Sequence, residues 1–186
     1  MTLDCPSDCP YLRQARDHER PRELSEMEPS SLFPQVTIPE DLPYKREPLL
    51  VGLSYTLAQQ ARRARQLNDR DLVAALTALA KKYETLVGSG LVYESSSANP
   101  TERGIASELE KQVAGYREIE QRQLGYSTLR DSEVLQAIVF MLRLALGRTN
   151  GRPRSRAFID FLFAQFPQKE GLIATAEDSG SRLIVP

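Results

Sequence analysis

The residue types best suited to metal or redox chemistry lie near the N-terminus, in Cys5-Pro-Ser-Asp-Cys9 and at the chain's one histidine, His18. Thiolates and imidazole are the usual zinc ligands, and this spacing lets one loop chelate a single ion through Cys5 and Cys9. A closed zinc site needs four ligands and the chain offers three, so Asp8 or a second subunit would have to complete it. If residues 11–19 form a helix with Pro10 at its first position, His18 lies about 12 Å along the axis from its start. That is out of reach of an ion held at Cys5 and Cys9. An iron–sulfur motif would need a further cysteine. The pair is more simply read as two thiols in a proline-rich arm, reduced or able to oxidise, ahead of metal binding and of a redox-active dithiol. Cys9, just ahead of the short helix, would be the more reactive thiol.

A second candidate is the run from Arg148 to Arg156, in which Arg148, Arg152, Arg154 and Arg156 surround Gly151 and Pro153 with no acid among them. Arginines directly before a helix N-terminus can offer guanidinium forks and free backbone N–H groups to a phosphate or carboxylate. Neither G-x-x-x-x-G-K-S/T nor G-x-G-x-x-G accompanies them, so no nucleotide fingerprint supports the site. A solvated arginine loop, or one paired with the acidic arm, explains the same residues. Together with Arg62, Arg63 and Arg65 it also defines a possible nucleic-acid surface. The near-zero net charge and the absence of Trp speak against that reading.

Carboxylate pairs such as Glu108 with Glu110, or Glu118 with Glu120, are the third candidate. Di-iron helical proteins need Glu-x-x-His on two helices, and the one histidine is in the arm. The glutamates alternate with Lys111, Arg117 and Arg122, as on a solvated helix face. A Ser–His–Asp or Cys–His set would require His18 as base, and no nucleophile elbow is present.

The elements that would position these groups are helical. Residues 129–147, LRDSEVLQAIVFMLRLALG, are the most apolar stretch, with only Gln136 and Arg143 strongly polar between Val134 and Leu146. A helix apolar on nearly every face is surrounded by protein or lipid. Thirteen residues give about 20 Å, short of a hydrocarbon core of roughly 30 Å, so this is expected to be the buried central helix of a globular protein. Leu135, Ile138, Val139, Leu142 and Leu146 should be almost fully buried, with the Arg143 guanidinium reaching solvent or a surface acid.

Around it, the spacing predicts a helix opening at Pro48 with the stripe Leu50, Leu53, Leu57, Ala61, Ala64 and Leu67. Asn68 then caps a helix with the stripe Leu72, Leu76, Leu79, Tyr83 and Leu86, closed by Gly88. Asn99 and Pro100 start a third, through Ile105, Leu109, Val113, Tyr116 and Ile119, ended by Gly125. Thr128 with Asp131 resembles a capping box for the central helix. Ser155 can cap a short aromatic helix over residues 156–166, in which Phe158, Phe161 and Phe166 help cover too many faces for a free surface helix.

Eight of the twelve prolines fall in residues 1–48, so continuous helix is excluded there. Residues 35–38, QVTI, fit a brief edge strand or an extended strap. With Leu32, Phe33 and Leu42 they make an arm expected to lie along the helices. The reading is all-α: an antiparallel bundle of four main helices plus a short C-terminal aromatic helix, with a proline-rich arm (1–47), a bundle (48–167) and an irregular tail (168–186). Charged residues interrupt any signal-like apolar segment near the start, so a cytoplasmic, non-membrane protein is expected. With no catalytic set assembled, the expected function is non-catalytic. It is a helical interaction or structural protein that self-associates, as a homodimer, through the aromatic helix (Phe158, Phe161 and Phe166) and the N-terminal arm. The rival is a zinc-binding or thiol redox protein using Cys5 and Cys9.

Overall fold

The apolar stretch around Leu142 forms the helix its composition demands, and the other helices enclose it. The computed structural model describes residues 28–90, 99–152 and 154–167. Among these there are six α-helices and no strand: α1 (Leu42–Lys45), α2 (Glu47–Arg63), α3 (Asp69–Ser89), α4 (Pro100–Leu124), α5 (Asp131–Arg148) and α6 (Ala157–Gln165). A 3-10 turn at Pro29–Ser31 precedes them. The central helix is α5. Its Ile138, Val139 and Leu142 are wholly buried, and Leu135 and Leu146 nearly so.

Helix α5 packs most extensively on α3, α3 also meets α4, and α4 meets α2, while α6 lies across α2 and α5. The stripes turn inward as their periodicity requires. Leu53, Leu57, Leu72, Leu76, Leu79 and Leu109 are all fully buried. No helix of the described residues is long and apolar enough to cross a membrane.

Several local expectations are corrected by the structure. Helix α2 stops at Arg63, and Leu67 reaches the core from the turn that follows. Helix α3 continues through Gly88; its left-handed cap is Gly90, with φ of 69°. Its start is as expected, with the Asn68 side chain accepting from Arg70 N and Asp71 N. Thr128 does not cap α5. That role falls to Arg130 as the preceding residue, with Glu133 Oε2 accepting from Arg130 N at 3.1 Å.

Residues 35–38 form no strand. They belong to an extended strap that buries Phe33 and Val36 against the helices. Arg143 is half-buried and meets the strap in place of a surface acid. Its Nη2 donates to the carbonyls of Leu32, Phe33 and Val36 at 3.2, 3.0 and 3.2 Å, and Gln136 Nε2 donates to Thr37 O at 3.1 Å.

Candidate functional site

Among the described residues, charged groups are buried at two places, and both tie distant parts of the chain together. The first centres on Arg46, in the turn between α1 and α2, which is 6% exposed. Its Nη1 donates to Glu120 Oε1 at 3.1 Å and to Thr128 Oγ1 at 3.0 Å. Its Nη2 donates to Glu133 Oε2 at 2.7 Å and to the Thr128 carbonyl at 3.0 Å. Burial disfavours the guanidinium charge most strongly, but Glu133 and Tyr116 together outweigh it and raise the pKa.

Glu120, near the end of α4, gathers the α4–α5 connection. It accepts from Ser127 Oγ (2.8 Å), Thr128 Oγ1 (2.8 Å), Thr128 N (2.8 Å) and Leu129 N (3.1 Å). Gly125, with φ of 82°, lets the chain turn back toward it. Burial pushes the carboxyl pKa up, yet the hydrogen bonds from Thr128, Ser127 and Leu129 prevail and bring it down to about 2. A polar groove of about 650 Å³ opens beside this cluster, lined by Asp41, Lys45, Arg130, Ser132 and Gln136 among others. Every side-chain nitrogen of Arg46 has a protein partner, so the cluster locks the α1–α2 turn to α4 and α5.

The second place is Asp69, fully buried at the start of α3. Its carboxylate accepts from Ser155 Oγ and from the first amides of α6, Phe158 N and Ile159 N, both at 3.2 Å. Its own N–H donates to Ser155 O at 2.8 Å. The amides that the arginine loop was expected to offer an anion are therefore occupied by a carboxylate of this same chain.

The arginines are dispersed to match. Arg156 donates to the carbonyls of Arg65 and Leu67, and Arg148 lies 4.3 Å over the Phe161 ring, while Arg152 and Arg154 are exposed. They form no shared cradle. Arg62 likewise turns inward, donating to the Phe166 carbonyl and lying 4.9 Å from the centre of the Phe163 ring.

The remaining sequence candidates separate cleanly. Glu108 pairs with Lys111 (2.6 Å), Glu110 with Lys82 (2.7 Å) and Glu118 with Arg122 (3.2 Å), as a solvated face would. Cys5, Cys9 and His18 lie outside the described residues, as does the helix expected at 11–19. No group of His, Cys, Asp or Glu among the described residues could hold a metal ion.

Phe158 is wholly buried, so it serves the core and cannot meet a partner. Phe161 and Phe166 do reach a surface. With Leu50 and Val51 of α2 and Phe140 and Leu144 of α5, they line an open apolar groove of about 200 Å³. Tyr55 extends it, meeting Phe166 edge-on with ring centres 5.6 Å apart. Val51 is 47% exposed and Tyr55 48%. Reasoning from periodicity passed over both because they fall outside the buried stripe of α2. Their own signal is two apolar residues four apart on the face that should be polar. Comparison with protein-family models, with curated proteins and with solved structures finds no match to this chain.

Proposed function

We propose that this chain is a non-catalytic helical interaction protein that self-associates as a homodimer through the seam between α2, α5 and α6. The observation that carries the reading is the apolar groove rimmed by Val51 and Phe166, with Tyr55 half-exposed against it. Exposed apolar patches with aromatic members are the usual mark of an interaction surface. The buried charges support the same reading, because Arg46, Glu120 and Asp69 are each engaged by protein partners and serve as internal ties. On this proposal the four long helices form an antiparallel bundle. The short aromatic helix then closes one side of it and presents Phe161 and Phe166 outward.

Multi-angle light scattering on the full chain tests the proposal. A mass of about twice 20.9 kDa is expected. Val51→Asp, which adds charge at an exposed position, should return the protein to a monomer with an unchanged helical signal. A wild-type monomer at high concentration overturns the reading, and so does a Val51→Asp dimer as tight as wild type.

A further inference from the structure

We infer that the strap formed by residues 28–41 exchanges between two copies of the chain, each strap seating on the partner's α3–α5 face. This rests on the self-association proposed above and names the contact that would hold the dimer together. The strap is a separable piece. Its anchors are two buried side chains, Phe33 and Val36, backed by the partly buried Leu32 and Ile38. Its polar hold is Gln136 on Thr37, Gln35 donating to Glu84 of α3, and a single Arg143 nitrogen shared among three carbonyls. One nitrogen with two hydrogens cannot serve three acceptors fully, and Arg143 Nε is buried without a partner. All these contacts run between the strap and the helices, so each can be re-made between chains without loss.

The join to the rest of the molecule permits this. Residues 39–41 are all exposed, so redirecting the chain at residues 39–40 uncovers no apolar surface. It gives up the bond from Leu42 N to Pro39 O, while the Asp41 carbonyl still accepts from Tyr44 N and Lys45 N at the start of α1. Position favours it as well. Gln136 and Arg143, which hold the strap, share one side of α5 with Phe140 and Leu144, which line the apolar groove. Spacings of three and four residues place these four side chains within about a third of a turn of one another. Two copies meeting at the groove would bring their straps alongside each other's α5. Exchange of an identical element is a low-cost route to a dimer because the new contacts copy the old.

The test uses two full-length chains, both carrying Cys5→Ser and Cys9→Ser. One also carries Gln35→Cys and the other Glu84→Cys, positions whose side chains touch across the strap contact. The chains are mixed, warmed so that subunits redistribute, and oxidised. Exchange predicts a covalent heterodimer whose principal link, found by peptide mass spectrometry, joins position 35 of one chain to position 84 of the other. Symmetric links alone, or no link, overturn the exchange. If scattering still finds a wild-type dimer, that result leaves the self-association standing. A wild-type monomer with no link removes both.

Discussion

Asp69 is fully buried, and its carboxylate joins the start of α3 to the start of α6. Replacing it with Ala strips the partner from Phe158 N, Ile159 N and the Ser155 hydroxyl, all in a region closed to water. A hydrogen bond to a charged group contributes about 1.5–3 kcal/mol net, and a buried donor left unpaired costs about 1–3 kcal/mol. The two amide contacts are long at 3.2 Å, and removing a buried charge recovers part of its desolvation penalty. The balance puts Asp69→Ala at roughly 2–4 kcal/mol, within a total of about 5–15 kcal/mol for a typical domain.

Asp69→Asn keeps one acceptor oxygen and should cost about half as much. Urea melts followed by the helical circular-dichroism signal read both variants. With a slope of about 2 kcal/mol per molar, Asp69→Ala should lower the midpoint by roughly 1–2 M. Amide exchange at Phe158 and Ile159 should accelerate in step. A midpoint within 0.3 M of wild type, or an Asn variant worse than the Ala variant, would show that Asp69 does not hold the start of α6 (the threshold is about 0.6 kcal/mol on the same slope).

Two further outcomes follow from the core and the buried carboxylate. Leu142→Ala should cost about 2–5 kcal/mol, because it opens a cavity in the most enclosed helix. Arg143→Ala should cost less in the same melts, since it frees only the strap carbonyls; the reverse order would show that the strap matters more than the core. Glu120 has its folded pKa near 2 against an ordinary 4.5. It therefore stabilises fully above pH 4.5, and that stability, up to about 3 kcal/mol, drains away as pH falls toward 2. Melts across that range should show Glu120→Gln less stable at neutral pH and with a flatter acid limb. An unchanged limb would rule out Glu120 as its source.

What the sequence disclosed was governed by distance along the chain. The stripes of α2 to α5 and the Asn68 and Asn99 caps are local patterns, set by neighbours three or four residues away, and they could be read directly. Gly90 in place of Gly88 shows the limit even there, since either glycine can end the helix and the left-handed turn falls at the second. Asp69 read as a residue favourable to a helix's first turn, and nothing local announces that its acceptors serve another helix some ninety positions on. Glu120 read as one of a solvated series. Its burial follows from the return of the chain at Gly125, which brings Thr128 and Leu129 back to it. The arginine loop was legible as composition but not as arrangement, because Arg156 turns to carbonyls and Arg148 to a ring while Arg152 and Arg154 face outward.

The reach of these ties has a kinetic meaning. Arg46 meets Glu133 across 87 positions, and the Ser155–Asp69 bond spans 86. Contacts this distant close long loops and depend on side chains being set within packed helices, so φ-values near zero are expected at Arg46 and Asp69. Their contribution then falls almost wholly on the unfolding rate. The buried charges act as late-closing clasps that slow the opening of a helical core already assembled around α5.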